Sequence, residues 1–252
     1  MKINDVILAI EQRAPVCLAE EWDNVGLMLG DGEAECTGVA VSLDCTAETV
    51  RKAAENGCNL IVTHHPLIFH PLANLNYAGA SARLIASLAE KGIAVYSAHT
   101  NLDASESGAS AEIARKLGGT PRLEGCGCYA DIDERSAAAL AKDIARILGG
   151  TDVRVSSPDA VVKRVYIVSG AGGDDEGYAA ARAGADALVS GEVKHHVFVR
   201  SAEEKFPVVE FSHYYSETIC CDVLIDIIKS RFSELKVVDA RNGCPYKTLE
   251  EL

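Results

Sequence analysis

The sequence predicts an α/β protein, built as two halves of doubly wound, largely parallel sheet. Three observations predict it: short apolar strand signals alternate with helical stretches of 10–15 residues, glycines punctuate the helix ends, and the second half repeats the pattern of the first. In chain order, Met1-Lys2-Ile3-Asn4-Asp5 opens a helix with Asp5 in its first turn, not a signal peptide. Val39–Leu43 reads as a strand; Thr46 caps a helix running to about Asn56, and Gly57 ends it. Asn59–Thr63 is a continuous apolar strand of the kind buried on both faces. A helix over Ala80–Lys91 stops at Gly92, and Ile93–Ser97 is the next strand. Ala109–Leu117 is helical up to Gly118-Gly119, and Arg135–Leu148 up to Gly149-Gly150. Strands at Val165–Ser169, Ala187–Ser190 and Val208–Phe211 then alternate with helices at Gly177–Ala183, Lys194–Ala202 and Thr218–Lys229. The segment Thr120–Tyr129, with Pro121, two Gly and two Cys, is the expected boundary. It gives a first half over residues 1–120 and a second over 121–252, whose C-terminal part is expected to pack back on the first.

Composition narrows the function classes. The 252 residues carry 24 Lys+Arg against 37 Asp+Glu, a net charge of −13, which argues against a general nucleic-acid surface. With 48% hydrophobic residues the chain fills a sizeable core, and no apolar run approaches the ~20 residues of a membrane span. Nine scattered Cys form no C-x-x-C pair; adjacent Cys220 and Cys221 read as small core residues, and a reducing cytoplasm is the expected compartment.

The repeat sets residues of one chemistry in register. Gly57-Cys58-Asn59-Leu60-Ile61-Val62-Thr63 matches Gly184-Ala185-Asp186-Ala187-Leu188-Val189-Ser190. The segment from Val95 to Asp103 matches that from Val209 to Glu217, so each half ends a strand with His-x-x-x-carboxylate: His99 to Asp103, and His213 to Glu217. All seven histidines follow predicted strand ends, where open α/β sheets collect ligands. At Thr63-His64-His65-Pro66 a strand gives way to a loop, so both imidazoles can turn toward one pocket. Imidazole with carboxylate suits Zn, Fe, Mn, Co or Ni, and His64, His65, Asp103, His213 and Glu217 make a first shell for two such ions. His99 is open between ligand, hydrogen-bond partner of a ligand, and proton relay. His70 reads as loop structure, and His195-His196 as a solvated helix start. Ser169-Gly170-Ala171-Gly172-Gly173-Asp174-Asp175 reads as a βα turn more readily than a phosphate loop, because its aspartates repel phosphate. Trp22, within Glu20-Glu21-Trp22-Asp23-Asn24, reads either as a loop anchor or as a wall of the site.

Together, Glu20–Leu27 (EEWDNVGL), Thr63–Phe69 (THHPLIF), His99–Asp103 (HTNLD), Gly191–His196 (GEVKHH) and His213–Glu217 (HYYSE) resemble the YbgI-like dinuclear-metal family, commonly labelled type 2 GTP cyclohydrolase I-like. The resemblance spans nearly the whole chain. It implies two interlocked α/β domains and a toroidal homohexamer with inward-facing metal pairs. The family's five ligands fall on His64, His65, Asp103, His213 and Glu217; His99 and His196 match further polar positions. Two departures stand out: Ser212 replaces a usual Gly, and the long central insertion of some members is missing. The resemblance leads to the expectation of a dinuclear metal-dependent hydrolase acting on a small molecule, GTP or a related heterocycle, with His99 as proton relay. The alternative is a non-catalytic metal-binding ring serving as adaptor, sensor or store. Neither reading calls for a membrane or a nucleic acid.

Overall fold

The computed structural model describes residues 1–150 and 152–248. The chain forms two compact units, each assembled from non-contiguous segments. Met1–Leu102 joins Cys220–Gly243 in the first, and Asp103–Ile219 joins the described residues from Cys244 to Thr248 in the second.

In the first unit, α1 (Ile3–Glu11) buries Ile3, Val6, Ile7 and Ile10 along one face, and the Asp5 carboxylate accepts the Lys2 backbone N–H at 2.7 Å. Then follow β1 (Gly26–Leu29), β2 (Val39–Ser42), α2 (Ala47–Glu55), β3 (Leu60–Thr63), α3 (Ala80–Glu90), β4 (Ala94–Ser97) and α4 (Thr100–Asp103), whose last residue is the first of the second unit. Thr46 caps α2, its hydroxyl accepting the Thr49 N–H at 3.2 Å. Strands β2, β3 and β4 are buried at every residue, which is why they read as unbroken apolar runs rather than alternating ones.

The second unit continues with α5 (Ala109–Lys116), β5 (Arg122–Glu124), β6 (Gly127–Ser136), α6 (Ala137–Leu148), β7 (Arg154–Val155), β8 (Val161–Val168), α7 (Asp175–Gly184), β9 (Ala187–Ser190), α8 (His195–Glu204), β10 (Val208–Glu210) and α9 (His213–Glu217). The helix α10 (Ile219–Arg231) and strand β11 (Val237–Asp239) then bring the chain back to the first unit.

The first sheet has the order β1-β4-β3-β2-β11, parallel except for the edge strand β1. The second has the order β5-β6-β8-β9-β10-β7, with β8, β9 and β10 parallel and the flanking pairs antiparallel. Both therefore centre on three successive strands joined through helices, β2-β3-β4 and β8-β9-β10, which is the repeat seen in the sequence. The antiparallel additions carry the main departures from the predicted elements. Segment 120–129, expected as the boundary, lies inside the second unit as the β5–β6 hairpin, turning at Gly125 with φ +56°. The helix expected from Arg135 starts at Ala137, because β6 runs through Arg135 and Ser136 caps the helix by accepting the Ala139 N–H. The chain crosses between units at Leu102/Asp103 and Ile219/Cys220, beside the residues singled out for metal binding.

Each unit has its own core. Ile61, Leu88, Ile93 and Val95 centre one cluster; Leu140, Ile144, Val165 and Phe211 centre another. Among the described residues no helix is long and apolar enough to cross a membrane. None of the nine cysteines is in a disulfide.

Candidate metal centre

In the first unit, β3 delivers the histidine pair. Beyond its last residue, the His64 and His65 N–H groups still donate to the Ser42 and Leu43 carbonyls, at 3.3 and 3.0 Å, so the strand pairing holds both residues. The Thr63 hydroxyl donates to the His65 carbonyl at 2.8 Å and sits 2.9 Å from the Ser97 hydroxyl, tying the ends of β3 and β4 together. His99 follows β4 directly and leads into α4.

The three rings stand against one another, with centroids 5.1 Å apart for His64–His65, 5.0 Å for His64–His99 and 5.6 Å for His65–His99. A ring nitrogen from each lies within 4.8 Å of the others. In every case Nδ1 faces a group that can only accept: the Ala98 carbonyl for His64 (2.9 Å), the Asp44 carboxylate for His65 (2.8 Å) and the Asp23 carboxylate for His99 (2.9 Å). Nδ1 must therefore carry the proton, which leaves Nε2 of each neutral ring as the lone-pair nitrogen. This is how metal-binding imidazoles are usually oriented, so these residues fit a divalent cation.

Asp23 does more than orient His99. Its side chain is fully buried, and its second oxygen accepts the backbone N–H of Thr100 at 3.0 Å and the Thr100 hydroxyl. Burial works against its charge, but the bonds from His99 and Thr100 outweigh that and hold the carboxyl well below the usual carboxylate range. Asp23 is thus a fixed anion behind His99. Cys220, which reads as core in the sequence, is fully buried, but its sulfur lies within 4.8 Å of a ring nitrogen of His64.

In the second unit, His213 and Glu217 occupy successive turns of α9, with Nε2 and Oε2 2.8 Å apart. His213 Nδ1 meets the Glu192 carboxylate at 2.9 Å, from the loop after β9 that corresponds to the His64-His65 position of the first repeat. The hydrogen bond to Glu217 raises the His213 pKa; burial opposes it, and Glu192 adds to it. Glu217 is buried against Gly170, where an added Cβ would stand 2.0 Å from Oε1. Gly170, at φ +62°, also donates its N–H to the Ser216 hydroxyl at 2.9 Å. The glycine of the predicted βα turn therefore forms the floor under a carboxylate. The rest of that turn behaves as read: Asp174 caps α7 by accepting the N–H groups of Glu176 and Gly177, both at 3.1 Å. Asp103 ends α4 and is buried.

The other histidines are placed differently. His196 is exposed and pairs with Asp175 at 3.0 Å, His195 is exposed at the start of α8, and His70 packs against the Phe69 ring. Sequence reasoning missed the orienting acceptors Asp44, Glu192 and the Ala98 carbonyl; isolated carboxylates in loops carry no local signal. Ser212, which the resemblance marks as a departure, holds the turn at φ +78° and hydrogen-bonds the Tyr246 hydroxyl.

The profile of the Duf34/NIF3 (NGG1p interacting factor 3) family matches residues 1–242. A Clostridium perfringens protein named GTP cyclohydrolase 1 type 2 homolog is 34% identical over 229 residues, covering 86% of this chain and 87% of that protein. The crystal structure of a Staphylococcus aureus hypothetical protein superposes with a TM-score of 0.87 at 26% identity, covering 99% of both chains. The solved structure of protein ybgI, at 20% identity and a TM-score of 0.86 over 98% of this chain and all of that one, shares the fold. The chain belongs to the Duf34/NIF3 family.

Proposed function

We propose that this protein is a dinuclear metal-dependent hydrolase of a nucleotide or related heterocycle. The observation that carries the reading is the histidine pair after β3, His64 and His65, each with Nδ1 held by an acceptor, so that Nε2 is the nitrogen bearing the lone pair. His64, His65, Asp103, His213 and Glu217 would hold the two ions, which are Zn, Fe, Mn, Co or Ni by the chemistry of imidazole and carboxylate. When bound, such a pair supplies Lewis acidity and makes water a nucleophile at neutral pH. The chain's own residues supply the rest. Asp44 and Glu192 set the ring planes of His65 and His213, and Asp23 keeps the Nδ1 proton of His99 in place. His99 would then take a proton at Nε2 from the attacking water and hand it to the leaving nitrogen or oxygen, its Nδ1–H staying on Asp23. The name of the Clostridium perfringens relative makes GTP ring opening the first activity to assay. The family resemblance further supports a homohexameric ring, and the free thiols support a reducing cytoplasmic setting.

Metal analysis of the purified protein and of the His64→Ala/Glu217→Ala variant, with hydrolysis of GTP and a nucleotide panel, tests this. Two ions per chain and turnover, both lost in the variant, are expected. Two ions without turnover would replace the hydrolase by an adaptor, sensor or store. No ion after reconstitution would refute the metal centre.

A further inference from the structure

Trp22 and Phe69 keep large rings in water at the edge of the histidine cluster, with 59% and 39% of their surface exposed. Their centroids are 5.9 Å apart, and each ring lies close to His99, at 6.2 Å for Trp22 and 6.1 Å for Phe69. Neither ring hangs on a slack loop. Asp23 and Glu20, on either side of Trp22, are tied to Thr100 at the start of α4, and the Asn24 side-chain amide donates to the carbonyl of Ile68, next to Phe69. The two loops are cross-braced, so the aromatic surface is preorganised.

The charge carried by these two loops is one-sided. Residues 14–50 and 53–82, which include both loops, contain no Lys or Arg, and Trp22 is bracketed by Glu20, Glu21 and Asp23. The two loops themselves offer a polyphosphate carboxylates and no Lys or Arg, the nearest cation in the chain after Phe69 being Arg83, whose guanidinium is turned to the Tyr77 and Ala78 carbonyls. Flat, uncharged rings meet the opposite: two aromatic faces to stack on, next to an imidazole. We propose that Trp22 and Phe69 are the stacking platform for an uncharged planar nitrogen heterocycle, a base or nucleoside rather than a nucleoside triphosphate, held beside His99. The proposal rests on the hydrolase reading above and narrows its substrate to the ring portion; phosphate contributes nothing to recognition at these loops.

Trp22 is the only tryptophan of the chain, so its fluorescence reports this surface alone. The test titrates the full-length protein, metal-free and metal-loaded, with guanosine and with GTP, and repeats the guanosine titration on Phe69→Ala. Guanosine is expected to quench Trp22 in both forms. In the metal-free protein GTP should bind no more tightly than guanosine. Phe69→Ala should weaken guanosine about tenfold, the typical worth of one stacked base, with the metal content per chain unchanged. The proposal is overturned by metal loading without a guanosine response, by GTP binding the metal-free protein at least tenfold more tightly, or by an unaltered Phe69→Ala titration. Trp22 emission shielded from iodide in the free protein would put another subunit on this surface and overturn it equally. Guanosine quenching in a protein that binds no metal would instead sink the hydrolase reading and leave the platform standing.

Discussion

Gly170→Ala separates the candidate metal centre from the fold that carries it. The added Cβ would stand 2.0 Å from Glu217 Oε1 and 3.0 Å from its carboxyl carbon. Real Cβ atoms respect about 3.0 Å, so the carboxylate must retreat by roughly 1 Å, whereas metal–ligand distances tolerate about 0.2 Å. The backbone also resists, since φ is +62° and an L-residue there costs about 1–2 kcal/mol. For a chain of this size that is a melting point lower by about 2–8 °C. Gly149→Ala is the matched control: φ is +74° at the end of α6, yet nothing lies within 4 Å of its added Cβ. Both variants should melt earlier in the metal-free state, Gly170→Ala at least as much as Gly149→Ala, which carries the backbone cost alone. Only Gly170→Ala should lose metal affinity, by at least about tenfold to a hundredfold, the range seen when a group that orients a ligand is removed. Isothermal titration of the metal-free proteins with Zn or Mn reads this. Equal metal affinity in Gly170→Ala and the parent would refute Glu217 as a ligand.

Two further outcomes follow from the same unit. Because His213 holds its proton to a higher pH than an ordinary imidazole, a metal ion must displace that proton, and affinity should fall on acidification from above pH 6.5, by up to about tenfold per pH unit. The sign for the metal-free protein is opposite: the His213–Glu217 pair stabilises it fully below the unfolded-state pKa, and that stability is lost as pH rises through the raised folded-state value. Melting curves and metal titrations between pH 6 and 8 that move together, or not at all, would contradict this. At Ser212, φ +78° with ψ +130° suits glycine, and a side chain there costs about 1–3 kcal/mol, partly offset by the hydroxyl bond to Tyr246. Ser212→Gly in a Tyr246→Phe background should therefore raise stability by about 1 kcal/mol in urea unfolding; a loss would show that the turn is not strained.

The strand–helix alternation was legible in the sequence because its signals are local. Continuous apolar runs mark strands covered on both faces, Thr46 marks a helix start, and Gly57, Gly92 and Gly149 mark ends where φ is positive. The β5–β6 hairpin was not legible, since Pro, Gly and Cys at 120–129 serve a tight turn inside a sheet as readily as a linker. The helix expected over Thr218–Lys229 is preceded by a separate short one, α9, because the residues after β10 turn at Ser212 before becoming helical.

For the site, the sequence by itself determined which donor atoms are available and that they follow strand ends: His64 and His65 after β3, His99 after β4, His213 after β10. Only the tertiary structure decided which nitrogen each histidine offers. That choice is made by acceptors 21 residues away for His65 and His213, 34 for His64 and 76 for His99. No periodicity links such distant positions. They meet because parallel strands return each crossover to the same sheet edge, and because the loop carrying Trp22 and Asp23 folds onto the start of α4. The same holds for Gly170 beneath Glu217 and for Cys220 beside His64. Each is an ordinary residue in its own segment, and packing alone brings it beside a candidate ligand.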